Sequence, residues 1–413
     1  MAALELLRGV RVVSIEQYIS APYCTEILGE AGAEIIKVER PESGDPRRTY
    51  DPMRTFGDDE VSGGFASYNR GKKSVSLDLR DTDDRDTLRE LLSTADVLVS
   101  NLRPGALARV GLAPTELRQT RPHLIICEIS GFGTTGGPFE HLSAFDSVIQ
   151  AMSGMSSLIG RAPDDPPLLA PMSVMDILTG IWAAFGIATA LLQRSHTGQG
   201  CHIDAAMYDI GAAFMERALT LHEFTGEVPT RGIDRFSPVG AFRAADGRWL
   251  SIVIPTDEMW GRCCHAIGRR DLLEDSSLGT VPQRAAQMES RIVPALEDWA
   301  RRADLSAHSA AAVLHAAGQP VGVVQSIDEV RACEHLAHRG LFAPLVASHD
   351  GRTVNTGLAL PRVPLLFDGS DSTPGRVPSF GEDNAEALAS AADVVVDFRP
   401  SSDPLAGQIE GQS

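Results

Sequence analysis

Positive charge is scarce in this sequence. Its 37 lysines and arginines stand against 55 aspartates and glutamates, a net charge of −18 over 413 residues. That balance argues against a general nucleic-acid or anionic-membrane binder, and leaves room for local basic sites inside an acidic shell. Cysteine is sparse as well. The six thiols (Cys24, Cys127, Cys201, Cys263, Cys264, Cys333) form no CxxC pair and no spaced set with histidine, so no metal site is expected and reduced thiols in a cytoplasmic setting are the economical reading. Long apolar runs are missing too: the uncharged run 177–193 falls short of a membrane span. Glu5 interrupts the N-terminus where an export signal would be apolar. No G-x-S-x-G elbow, HExxH or Walker A sequence occurs.

What is there describes a globular chain, with 43% hydrophobic and 22% charged residues. Its length suggests two or three domains. Over the first 130 residues strand and helix signals alternate: strands at 11–16, 34–40, 74–80, 96–101 and 123–130, with helices at 21–32 and in TDDRDTLRELLSTA. That order predicts a parallel sheet covered by helices, with ligands beyond the carboxyl ends of its strands. A strand in CHIDAAM and a helix over 208–226 follow. GAFRAADGRWLSIVI then reads as a hairpin turning at Asp246-Gly247, followed by three helical stretches that include QRAAQMESRIVPALEDWARRA. The expected organisation is a large α/β domain over 1–231, a small α+β domain over 232–330, a return to the large domain over 331–398, and a disordered tail at 399–413.

The chain is organised around PMSVMDILTGIWAAFGIATALLQR (171–194), which reads as one apolar core helix with small residues spaced for close packing. Asp176 is its single ionisable side chain before Arg194. Pro171 and Ser173 lie where a helix start would put them, so a helix cap or first-turn acid is the plain alternative to catalysis. Arg40, Arg80, Arg103 and Arg109 fall at or just after strand ends, and Lys72 and Lys73 precede one strand. Cations gathered at that edge suit a ligand with several phosphates. GFGTTGG (131–137) matches G-x-G-x-x-G, but Pro138 follows where a helix should open, so a backbone turn near a ligand is expected instead of a dinucleotide site. His196 and His202 flank a turn and read as solvated; Trp249, Trp260 and Trp299 read as core.

The blocks GAEIIKVERPESGDPRR, NRGKKSVSLDLR, ADVLVSNLRPGALARVGL, ISGFGTTGGP, AFDSVIQAMSGM, the Asp176 segment, TGQGCHIDAAMYD, GAFRAADGRW and PSFGEDNAEAL occur in this order. Together they resemble the class III CoA-transferases, the CaiB/BaiF family that includes formyl-CoA and carnitine CoA-transferases, from Leu7 to about Leu388. The resemblance implies an α/β fold: a doubly wound, Rossmann-like large domain with a smaller α+β domain, in a homodimer of two interlocked rings. It implies that Asp176 is catalytic, and that Arg40, Leu77, Arg80, Asn101, Leu102, Arg103 and Arg109 line a CoA site together with the stretch 143–146, including Ser143, Phe145 and Asp146. Acyl-CoA and a small carboxylic acid would be the substrates, with no permanently bound cofactor and no nucleic-acid or membrane partner. Ile19 stands where formyl-CoA transferase has glutamine, which argues against oxalate or formate as the acid.

An aspartate shielded from bulk water at a helix end suits attack on a thioester and protects the intermediate from hydrolysis. A related α-methylacyl-CoA racemase would need two bases, with a histidine–aspartate pair where this chain has Phe145-Asp146; phenylalanine carries no proton. A non-catalytic CoA-binding protein would have no need of Asp176.

Overall fold

The computed structural model describes residues 5–56, 59–160, 162, 164–231, 237–349, 352–370, 372–386 and 389; the expected tail at 399–413 lies outside them. The chain forms two compact units, one of residues 1–156, 169–217 and 337–413, the other of 157–168 and 218–336.

The first unit is built on a six-stranded parallel sheet: β1 (Arg11–Ile15), β2 (Glu34–Glu39), β3 (Lys73–Ser76), β4 (Val97–Ser100), β5 (Ile125–Ser130) and β6 (His202–Ala206), in the spatial order β3-β2-β1-β4-β5-β6. Strands buried on both faces read as near-continuous apolar runs, and the pleat sends neighbours to opposite sides. Val12, Ile35, Val97 and Val99 pack against α1 (Ser20–Glu30) through Cys24 and Leu28. Val13, Ile36 and Leu98 pack with Leu88, Leu91 and Leu92 of α2 (Thr82–Ser93) on the other face. Asp81 caps α2, accepting from the backbone N–H groups of Asp83 and Asp84.

β3 is shorter than expected, because after Leu77 the chain turns on Asp78. That carboxylate accepts from Arg80 N at 3.0 Å, while Asp78 N donates to Asp84. The same edge strand is held by the late chain: Asp383 and Asn384 side chains accept from Ser74 N and Ser76 N. An antiparallel hairpin of β10 (Phe342–His349) and β11 (Arg352–Pro361) precedes this segment, and Pro361 O accepts from Arg70.

The apolar helix, α4 (Val174–Thr197), closes with Gly198 in the left-handed region. It is long and apolar enough to cross a membrane by length and composition alone. The expectation of a buried core helix holds for one face only. Met175, Gly180, Ala183, Ile187 and Ala190 are buried, whereas Trp182, Phe185 and Leu192 are 56, 59 and 64% exposed. A Cβ at Gly180 would lie 2.8 Å from Ser20 O, so glycine is what lets α4 lie against α1.

In the second unit β7 (Val239–Arg243), β8 (Trp249–Val253) and β9 (Val321–Val323) form an antiparallel sheet, with Gly247 at positive φ in the turn. Phe242, Leu250, Trp260, Leu296, Trp299 and Leu314 share its core. Trp249 does not: it is exposed, with the Arg243 guanidinium 5.5 Å from its ring. The long helix expected over QRAAQMESRIVPALEDWARRA is broken into Val281–Ala286, a π turn Met288–Ile292 and Val293–Arg302. Pro294, which has no N–H, sits in the first turn of the last piece. The helix expected over 208–226 is likewise two, Met207–Phe214 and Glu216–Thr225.

Candidate active site

The sheet order reverses between β1 and β4, the place where an open α/β sheet parts its loops for a ligand. There the β1 and β4 loops are tied together: Asn101 accepts from Gln17 N at 3.0 Å and donates to Gln17 O at 2.7 Å. Tyr18 follows with φ of 66°, a conformation rare for a bulky side chain, and its N–H donates to Asp45. A fully buried ionic net underlies this loop. Lys37 meets Asp45 at 2.8 Å, and Lys72 meets Glu16 at 2.7 Å and Asn69 at 3.0 Å. Lys72 is therefore structural, not one of the phosphate cations expected from the sequence; Lys73, inside β3, is held by Glu34 and Glu386.

Beyond the strand ends lies a cavity of about 260 Å³. Its lining brings together Asp176 with Asn101, Leu102, Arg103, Ser143 and Phe145 from the expected set, and adds Gln17, Tyr18, Ser20 and Gly131. Gly131 is constrained by close approach, since a Cβ there would fall 2.3 Å from that of Ala144. The turn at 131–137 follows β5 without opening a helix, as expected. Ile19 is buried and does not line the cavity, whereas Gln17 does.

Asp176 stands in the first turn of α4, and it is not the cap. Ser173 makes no capping bond. The carboxylate of Asp146, which opens α3 (Asp146–Met152), does the work from outside the helix. Its Oδ1 accepts from Met175 N at 2.6 Å and Asp176 N at 3.2 Å, and its Oδ2 accepts from Gln150 at 2.5 Å. The Asp176 carboxyl is left over for the cavity. Burial and the neighbouring Asp146 charge raise its pKa from 3.8 to about 7, against the pull of Arg47 and a hydrogen bond with Ser20. Phe145 is 59% exposed and packs edge-on to Tyr18 at 5.7 Å.

The other expected residues fall around this centre in different ways. Arg40 is exposed at the end of β2, near enough to Tyr18 for its charge to act on the phenol. Arg103 is exposed on the cavity rim, and Arg109 ends the short helix Ala106–Arg109. Among the described residues none of these three arginines has a salt bridge or a side-chain hydrogen bond. Arg80 is exposed but held by Asp78 at 2.8 Å, and Leu77 is buried in the core beneath α2. The site residues missed in the sequence are Gln17, Tyr18, Ser20 and Arg47. The rule that placed arginines after strand ends applies equally to the loop after β1, and would have found the first three. His202 is not solvated: its Nε2 lies 2.9 Å from Glu128.

The arrangement is a carboxylate withdrawn from water beside a cavity whose rim carries one uncommitted cation, Arg103. The chain matches CoA-transferase family III over residues 7–384. It is 33% identical to the succinate–glutarate CoA-transferase of Agrobacterium fabrum, over 93% of this chain and 95% of that one. It is 35% identical to the acetyl-CoA:oxalate CoA-transferase of Acetobacter aceti, over 88% and 89%. Among solved structures, a CaiB/BaiF family protein from Brucella suis superposes with a TM-score of 0.80 at 29% identity, covering 94% of this chain and all of that one. The chain is a member of CoA-transferase family III, and an acyl-CoA:carboxylate CoA-transferase of that class.

Proposed function

We propose that the protein moves CoA from an acyl-CoA to a free carboxylic acid through covalent intermediates on Asp176. The Asp176 carboxylate attacks the thioester carbonyl carbon; the C–S bond breaks, and CoA leaves as the thiolate from an acyl-aspartyl anhydride. The thiolate then attacks the aspartyl carbonyl, releasing the first acid and leaving Asp176 as a CoA thioester. The incoming carboxylate opens that thioester to a second anhydride, and the thiolate returns to its acyl carbon, which regenerates Asp176. No net proton is consumed.

One observation carries this reading. Asp146 satisfies the helix N-terminus, so a carboxyl on the neighbouring residue is retained in the cavity at an electrostatic cost that a capping role does not explain. Half-burial also limits hydrolysis of the anhydride. Racemisation would need a second base, and the resemblance puts the racemases' histidine where this chain has Phe145, which lines the cavity and carries no proton. Arg103, Arg40 and Arg109 are the cations proposed for the CoA phosphates. Asn101 would act indirectly, since its amide is occupied by the Gln17 peptide. The relatives named above act on succinate, glutarate and oxalate, all dicarboxylic acids, and we propose that class for the acid here. The second chain of the proposed interlocked homodimer would cover the exposed face of α4.

Steady-state kinetics test the assignment. Asp176→Ala should lose transfer by at least about a thousandfold and still bind CoA. Arg109→Ala and Arg40→Ala should mainly raise KM for acyl-CoA, by roughly tenfold each. Transfer surviving in Asp176→Ala, or unchanged CoA affinity in both arginine variants, would refute it.

A further inference from the structure

Arg47 is a half-buried cation with no assigned task. Its backbone is fixed by Asp45, which accepts from Arg47 N at 2.9 Å, and its Nε donates to Gly64 O at 2.8 Å. The guanidinium carbon lies 5.6 Å from the Tyr50 ring centroid and 5.3 Å from that of Tyr68. A Cβ at residue 64 would come within 3.0 Å of Nη2, so a glycine keeps this place open. Three other inward-facing arginines of the same unit each hold a carboxylate: Arg48 with Glu39, Arg70 with Glu26, Arg194 with Asp96. Among the described residues Arg47 holds none, and neither of its Nη atoms has a hydrogen-bond partner.

Its charge nonetheless reaches Asp176. Arg47 is not part of the cavity lining that contains Arg103, and it joins that lining through a run of rings, Tyr50 to Tyr18 at 6.4 Å and Tyr18 to Phe145 at 5.7 Å. A guanidinium with its Nε tied back offers its two Nη groups as a planar fork, the geometry that matches a carboxylate. The carboxyl that reacts must sit on Asp176. Of the uncommitted arginines, Arg47 is the one whose charge acts on Asp176, so a second carboxylate on the same short acid has this fork available beside the Tyr50 and Tyr68 rings, which thin out competing water.

We infer that Arg47 grips the non-reacting carboxylate of a dicarboxylic substrate and so selects diacids over monoacids. The inference rests on the aspartyl-transfer reading above. The test measures the rate at which the full-length protein becomes acylated on Asp176, with succinyl-CoA and butyryl-CoA as probes of equal chain length. Wild type should favour succinyl-CoA. In Arg47→Gln the ratio of the two kcat/KM values should fall roughly 10- to 100-fold, because both thioesters share any loss from poorer ionisation of Asp176 and only succinyl-CoA also loses the fork. Arg47→Lys, which keeps the charge without the fork, should lie between. An unchanged ratio would overturn the inference, as would an equal loss with both thioesters accompanied by a shifted pH profile, since Arg47 would then act only on the ionisation of Asp176. Absence of label on wild-type Asp176 from both thioesters alike would overturn the aspartyl reading, and this inference with it.

Discussion

Asp176 has to carry a negative charge where burial and a second carboxylate both oppose it. Its pKa of about 7 makes ionisation the step that pH controls. The kcat/KM for acyl-CoA should therefore rise tenfold per unit below pH 7 and level off above it. A profile already flat from pH 5 to 8 would contradict this. Stability should run the other way. A carboxyl whose folded pKa is raised favours the fold while protonated, so its contribution is complete below pH 3.8 and is lost as pH climbs through about 7. Asp176→Asn should consequently resist urea better at pH 8 by about 1–3 kcal/mol, allowing for solvent screening through the cavity, and gain nothing at pH 4. The residue itself was legible because it is the lone ionisable group in an apolar helix. The bonds around it were not. Gln17, Tyr18 and Ser20 follow a strand end, within reach of the same rule, but Gln17 is fixed by Asn101 and Tyr18 by Asp45, and no local pattern reports a bond 84 residues away. Lys72 and Arg103 look alike as letters, yet one is sealed against Glu16 and the other open at the rim.

At the level of elements, the start of α4 depends on α3. Asp146 caps from 30 residues earlier in the chain, which is why the sequence located the helix and not its cap. Asp146→Ala should cost about 1–2 kcal/mol of stability in urea. Asp146→Asn keeps an acceptor for the helix N–H groups and removes the charge, so the acid limb of the kcat/KM profile should move below pH 7. An unmoved limb in that variant would separate Asp146 from the ionisation of Asp176. The parallel strands were legible for a related reason: sheets buried on both faces write continuous apolar runs into the sequence. Helices that break at Pro294 or Met215 keep their periodic residues, so composition alone joined them.

For the whole molecule, the unexplained feature is the exposed side of α4. Trp182, Phe185 and Leu192 continue beside an apolar groove of about 430 Å³ lined by Leu6, Ile27, Phe185 and Leu365. A patch of this kind marks an interface. The proposed homodimer would cover it, and interlocked chains would separate only on unfolding. Sedimentation at micromolar concentration should show a dimer, and differently labelled subunits should not exchange without denaturant. A folded, active monomer would contradict the assembly while leaving the chemistry standing.

The covalent role of Asp176 is the central claim, and peptide mass spectrometry addresses it directly. Wild-type protein incubated with acyl-CoA and quenched with hydroxylamine or borohydride should carry its modification on the peptide spanning 174–194, at Asp176, and Asp176→Asn should carry none. An active wild type that never acquires the label there, and that exchanges the α-proton of a 2-methylacyl-CoA with solvent, would contradict the account and favour proton-transfer chemistry at the same carboxylate.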